Sequence, residues 1–414
     1  MTPTFTKALR YRVTVTCLSP LRTGGSEQSR EPVLQYRSGI CFLQGNSLAG
    51  AMRGWRDDEV LFGRRNAPGT LTVSDLVFDA PDLITRPHAH MDSTTGALLK
   101  NTIFSALPTG TKGSFCLVWQ GSDGIEQAQQ AIEEYLAALD CGEILLGAHT
   151  ANGFGRIRLQ AARRCYDLYQ KEDRQAWFSW QEDTDDGEPV ILPHLPRGSI
   201  LFRVRAEVPS ILVKASLSQG NRQNKYLSAV PIEENGRSVI PGSSLKGAVR
   251  AQMERIAPSF GIEDETAQML GYSCSRENPG AAGKLFFSEG HFAGEEQPQT
   301  HMRLRINQFT GGIFSGISVF DKTTGGTLCW EIRAPKDAPR ICGLLLFALR
   351  DLGLGMYQIG SGSAIGRGYA ESLEVEMEAP EGLAKLCCRD GSVTLEDPSG
   401  FAGKWIQALG GEPA

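Results

Sequence analysis

The sequence has 414 residues, 41% hydrophobic and 21% charged, with a formal net charge of -5. That length suits two domains rather than one core, and the composition is that of a folded chain, which excludes disordered, fibrous and globally basic nucleic-acid-binding classes. The ten cysteines show no C-x-x-C pair or zinc-like spacing, and the longest apolar stretch, "ICGLLLFAL", falls far short of the ~20 residues of a membrane span, so a reduced, cytoplasmic protein with no membrane association is expected.

The opening "MTPTFTKALRYRVTV" has no hydrophobic leader and passes straight into the alternation of a half-buried strand. A glycine-containing loop follows, then "NSLAGAMRGWRDDEVLF" as a turn-capped helix and "GTLTVSDLVF" as strand. A hairpin region is entered through "RPHAHMDSTTG". The helix "GIEQAQQAIEEYLAALD" comes next, and the glycine loop "LGAHTANGFGR" leads into a strand. Residues 170–198 are acidic, contain proline and lack a period, as a linker does.

After that stretch the series begins again. "FLQGNSLAGAMRGW" matches "VIPGSSLKGAVRAQ", with Gly45, Ser47, Leu48, Gly50, Ala51 and Arg53 recurring as Gly242, Ser244, Leu245, Gly247, Ala248 and Arg250. "RPHAHMDSTTG" aligns with "HMRLRINQFTG", and "LGAHTANGFGR" with "IGSGSAIGRGY". Three collinear pairs indicate a tandem duplication. The expected layout is a first module over 1–170, an acidic linker over 171–197 and a second module over 198–414. Mixed strand and helix order with few βαβ periods gives an α+β class, simplest as a ferredoxin-like sheet with helices on one face.

In "PGSSLKGAVR", Pro241 and Gly242 permit a tight turn, Ser243 or Ser244 can cap the helix, and the first backbone N–H groups then form an anion cradle. Lys246 and Arg250, four apart, share a helical face from which both could reach a phosphate chain. In the first copy Asn46 and Ser47 take the same place, Ala49 replaces the lysine, and Arg53 and Arg56 keep a basic face. Lys246 is followed by Gly247, so this is no P-loop. The glycine loops close each module and run into strands, which argues against a dinucleotide fingerprint. Gly153, Gly155, Gly366 and Gly368 would let a polymer backbone approach closely, with Arg156 and Arg367 supplying charge.

His88, His90 and Asp92 alternate and suggest a metal site, but their counterparts Arg303, Arg305 and Asn307 cannot form one, so a surface that accepts either His or Arg is a contact surface rather than a metal centre. Lys214, Arg222 and Lys225 before the second turn, and Arg22, Arg30 and Arg37 before the first, could line a groove for a phosphate chain.

Through "IPGSSLKGAVR", "RLRINQFTGG" and "IGSGSAIGRGY", with the degenerate set "LQGNSLAGAMR", "HAHMDSTTG" and "LGAHTANGFGR", the sequence resembles the RAMP superfamily of CRISPR-associated proteins, specifically backbone subunits of type III effector complexes. The resemblance implies an RNA-recognition-like fold in each module, contact with crRNA, target RNA and other type III subunits, and thumb hairpins after Thr95–Gly96 and Thr310–Gly311 that wedge the guide–target duplex. Some relatives cut target RNA with an aspartate in the loop upstream of "PGSS". Neither "RTGGSEQSREPVLQYRSGICFLQG" nor "VKASLSQGNRQNKYLSAVPIEENGRSVIPG" contains one. Glu27, Glu31, Glu233 and Glu234 remain, with Glu31 the candidate catalytic residue and Mg2+ its cofactor if cleavage occurs. The expectation is therefore an RNA-binding scaffold. The alternatives are a metal-dependent endoribonuclease in the same assembly and a protein–protein adaptor that kept the fold but lost RNA contact.

Overall fold

Strict alternation of apolar side chains lets a strand bury one face, and Lys7–Cys17 does so with Leu9, Tyr11, Val13, Val15 and Cys17. The computed structural model describes residues 5–24, 33, 35, 38–79, 82–91, 98–180, 187–196, 198–214, 227–272 and 279–410. The chain forms two compact units. The first comprises 1–85, 105–150 and 154–197; the second comprises 86–104, 151–153 and 198–414.

In the first unit Lys7–Cys17 pairs antiparallel with Ile157–Asp167 on one side and with Lys112–Gly121 on the other. The sheet continues through Leu76–Phe78 to Phe42–Leu43, while Leu71–Val73 also pairs with Lys112–Gly121. Helix α1 (Gly45–Trp55) contributes Leu48 and Met52 to the core beneath this sheet. The expected single helix breaks at Arg56, which is extended, and restarts as α2 (Glu59–Phe62) because the Asp58 carboxylate accepts from the N–H groups of Val60 and Leu61, both at 3.0 Å. Helix α3 (Ile125–Cys141) buries Ile132, Tyr135, Leu136 and Leu139, spaced three and four apart.

The stretch expected to be an aperiodic linker opens instead as helix α4 (Lys171–Ser179). Its Trp177 packs edge-on against Phe5 and Tyr166, at 5.8 and 5.2 Å between ring centres, and Trp180 lies under the Arg10 guanidinium at 5.1 Å. Two tryptophans three residues apart gave this segment an anchoring face that a search for charge runs overlooks.

The second unit repeats the order. Ser372–Ala379, Ser199–Ile211, Ile313–Pro335, Gly290–Ala293 and Arg237–Ile240 are neighbours, all antiparallel. Helices α5 (Gly242–Ile256) and α7 (Pro339–Gly353) pack into its core, with α6 (Glu263–Leu270) between them in sequence. A further hairpin, Gly382–Arg389 with Ser392–Glu396, extends the sheet, and α8 (Phe401–Leu409) packs Phe401 and Trp405 into the same core.

Candidate nucleic-acid interface

The glycine loops have the same backbone shape in both copies. Gly147, Gly153 and Gly155 have φ of 76°, 96° and 84°, and Gly360, Gly366 and Gly368 have 85°, 81° and 78°. A Cβ on Gly155 would lie 2.0 Å from the Leu146 carbonyl oxygen, and one on Gly368 would lie 2.0 Å from that of Ile359. Each loop is tied to the end of the opening strand or to the residues just after it. Ala148 N–H donates to Arg22 O and Gly155 N–H to Pro20 O; Ser361 N–H donates to Leu212 O and Gly368 N–H to Ser210 O. All six glycines adopt left-handed backbone, and all but Gly366 also lie against carbonyls of their own chain. What the second loop offers outward is Ser363, Ala364, Ile365 and Gly366, all exposed.

The helix starts differ from the expected open cradle. Gly45 and Gly242 are buried. A Cβ on Gly45 would sit 2.3 Å from the Val73 carbonyl oxygen, and one on Gly242 would sit 2.4 Å from that of Phe287. The Gly45 N–H already donates to the Asp75 carboxylate at 2.8 Å, so the anion held by the first turn of α1 belongs to the chain itself. No serine caps α5 either. Pro241 is its N-cap, without a side-chain cap, and Ser243 and Ser244 lie inside the first turn, half-buried. Asn46 and Ser47 are exposed at the corresponding edge of α1.

Lys246 and Arg250 do share a face, and that face looks inward. The Lys246 ammonium donates to Leu285 O at 3.3 Å, with only 8% of the residue exposed. Burial, and then the neighbouring Arg250, bring its pKa down to about 8. Arg250 donates to Gly271 O at 2.8 Å and pairs with Glu254 at 2.7 Å. Both cations therefore fasten the connection between α6 and the strand Phe286–Phe287, and neither stands ready for a phosphate. In the first copy Arg53 pairs with Asp57 at 2.7 Å and remains partly exposed. Arg56 pairs with Glu134 and lies over the rings of Trp55 and Tyr135.

Arg367, expected to charge the second loop's surface, is also turned in. It pairs at 2.8 Å with Asp321, which is fully buried. Beside this strand position the Thr323 hydroxyl meets Ser210 Oγ and His301 Nε2, each at 3.1 Å. Arg22 is buried, 3.3 Å from His149 Nε2, rather than lining a groove, whereas Lys214 is exposed and Arg156 half-buried. Glu31, Glu27, Arg30, Arg37, Arg222 and Lys225 lie outside the described residues.

The two aligned middle segments both become the first strand of a hairpin, Ile84–Met91 paired with Leu98–Ala106, and Gln299–Ile306 paired with the start of Ile313–Pro335. His88 is half-buried near Phe104; the side chains of His90, Arg303 and Arg305, and all of Asp92, Thr95 and Gly96, lie outside the described residues. Thr310–Gly311 stands at the turn of the second hairpin. There the Asn307 side chain accepts from Phe309 N–H at 2.8 Å and Phe309 is 99% exposed. Met302, Leu304, Ile306 and Ile313 are exposed along the same hairpin.

Arg86 was not singled out in the sequence, yet it is 2% exposed and pairs with Glu234 and with Glu289, the latter at 3.2 Å. Burial pushes the Glu289 carboxyl up to about 7, against the pull of Arg86. Glu234, one of the glutamates considered for metal or 2′-hydroxyl positioning, is committed to this ion pair, and Glu233 pairs with Lys322 at 2.8 Å. The signal was present: "GTLTVSD" and "GKLFFSE" align Asp75 with Glu289, and Ser74 and Ser288 each accept a backbone N–H from the neighbouring strand. Among the described residues no group of three or more His, Cys, Asp or Glu could hold a metal, and no helix is long and apolar enough to cross a membrane.

No curated protein matches the chain. A profile of the RAMP superfamily matches residues 14–158 and 218–371, one segment in each copy and well over half of the sequence. With the loops, helix starts and hairpins reproduced in both halves, the chain belongs to the RAMP superfamily.

Proposed function

We propose that the chain is a two-module backbone subunit of a type III CRISPR effector complex, holding a guide crRNA and its duplex with target RNA beside other effector subunits in the cytoplasm. RAMP membership carries CRISPR-associated RNA binding with it. In this reading residues 1–170 and 198–414 are the modules and 171–197 joins them. The strand order supports a ferredoxin-like, RNA-recognition-like fold in each. RNA contacts each copy beside its helix start: Asn46, Ser47 and the partly exposed Arg53 in the first, and the half-buried Ser243 and Ser244, the exposed Lys214 and the exposed Ser363–Gly366 loop in the second. Gly45, Gly242, Lys246 and Arg367 shape these surfaces from beneath.

The observation that carries the reading is the duplication of one loop geometry, with three left-handed glycines at matching places in each copy. Two equivalent surfaces suit a ligand that repeats along its length, as a sugar-phosphate chain does. The test uses Ser47→Asp with Ser244→Asp, since a carboxylate in the first turn of a helix favours folding while it repels phosphate. Binding of single-stranded RNA is expected to weaken about tenfold, with a shallower salt dependence. Unchanged affinity and slope would remove these surfaces from the RNA path.

A further inference from the structure

The hairpin Gly382–Arg389 and Ser392–Glu396 lies beyond both segments matched to the family and forms the outer edge of the second unit's sheet. Asp390 and Gly391, with φ of 50° and 73°, make the two-residue turn whose twist suits a tight hairpin. In such a hairpin the closing pair Arg389–Ser392 is hydrogen-bonded, and so are Cys387–Thr394 and Lys385–Glu396 in the register observed. Val393 and Leu395 therefore turn their backbone N–H and C=O groups away from the hairpin, toward the open edge. All five residues of Ser392–Glu396 are exposed, and the strand has no proline, lysine or bulge of the kind that protects edges.

The side chains on this edge are also unfinished. Val393 and Leu395 are 41% and 36% exposed, yet they lie on the same face as their cross-strand partners Cys388 and Leu386, which are buried. The apolar layer under the sheet stops half covered.

We propose that this edge seats a second copy of the same chain, paired antiparallel about a twofold axis through Thr394. The pentapeptide is self-complementary in that register. Val393 faces the partner's Leu395 on the apolar side, with their outward backbone groups bonding each other. Thr394 faces the partner's Thr394, and Ser392 faces the partner's Glu396. No like charges oppose one another, and Arg389, beside Ser392 on the same face, attracts the incoming glutamate. An unrelated strand would satisfy the backbone alone; a second copy satisfies backbone, apolar face and charge together, in the isologous arrangement that closed dimers use. This inference does not rest on the RNA reading.

Sedimentation of the full chain, freed of nucleic acid, over a hundredfold concentration range is expected to show a monomer–dimer equilibrium. Val393→Lys with Leu395→Lys should raise the dimer Kd at least about tenfold, because edge lysines oppose pairing. In a Cys387→Ser background, Thr394→Cys should form an intermolecular disulfide on mild oxidation, since the twofold brings that pair within bridging distance, while Ser392→Cys should not. A chain that stays monomeric throughout, a dimer unaffected by the two lysines, or a dimer in which Thr394→Cys fails to cross-link would each overturn the proposal. So would an edge that captures another polypeptide while the chain itself remains monomeric.

Discussion

Lys246 shows how far position alone determines a residue's work. Spacing put it on one helical face with Arg250, and that much was legible; whether the face looked outward depended on the strand and loop that pack over it, which no local pattern encodes. Its ordinary pKa of 10.5 falls to about 8 in the folded chain. Between those values the unfolded chain binds more protons, so the cost of burying the charge is fully present below pH 8 and disappears as pH rises toward 10.5. Lys246→Met is therefore expected to be more stable than the native protein at neutral pH, by roughly 2 kcal/mol after the lost hydrogen bond is counted. The difference should shrink in urea titrations above pH 8. A constant difference across that window would contradict the assignment. The glycines follow a parallel logic. Their spacing showed that backbone freedom was needed, but not that chain carbonyls rather than a ligand demanded it. Gly368→Ala, strained at φ 78° and driven against Ile359 O, should unfold at clearly lower urea than Gly366→Ala, which meets strain alone because nothing lies within 4 Å of its Cβ. Arg367→Ala should unfold at clearly lower urea than the native chain, because it removes the 2.8 Å ion pair to the fully buried Asp321.

At the scale of elements, the order of strands and helices was readable because hydrophobic period and turn residues agree along most of the chain. Helix α4 was missed because its anchor is two tryptophans in an otherwise polar run. The closing hairpin and α8 fall after the last repeated motif, where no second copy points to them. The second hairpin's turn is held by local bonds from Asn307, while the Phe309 ring touches solvent almost entirely. Such a ring contributes little to folding and presents a face on which a base can stack. Phe309→Ala is expected to leave the urea midpoint unchanged and to weaken RNA binding by about 1–3 kcal/mol. A shifted midpoint with unaltered binding would make the tip a structural element instead.

The whole molecule joins its repeats in a way the sequence boundary does not convey. Residues 86–104 and 151–153 belong to the second unit although they come from the first repeat. Arg86 supplies the cation that Glu234 and Glu289 bury against, and Gly153 lies with Phe287 and Glu289. A fragment beginning at residue 198 lacks these pieces, and Glu234 and Glu289 lose their ion pairs with Arg86. It should unfold at markedly lower urea than the second unit does within the intact chain, as followed by tryptophan fluorescence. The net charge of -5 is compatible with RNA contact because that contact needs only local surfaces, repeated once per module. The most direct measurement is photochemical cross-linking of the full chain to the RNA that copurifies with it, followed by peptide mapping. Cross-links are expected in both repeats, near Asn46–Ser47 and Ser243–Ser244, at the Ser363–Gly366 loop and on the Phe309 hairpin. Absence of bound RNA, or cross-links confined to surfaces that the two repeats do not share, would contradict the account.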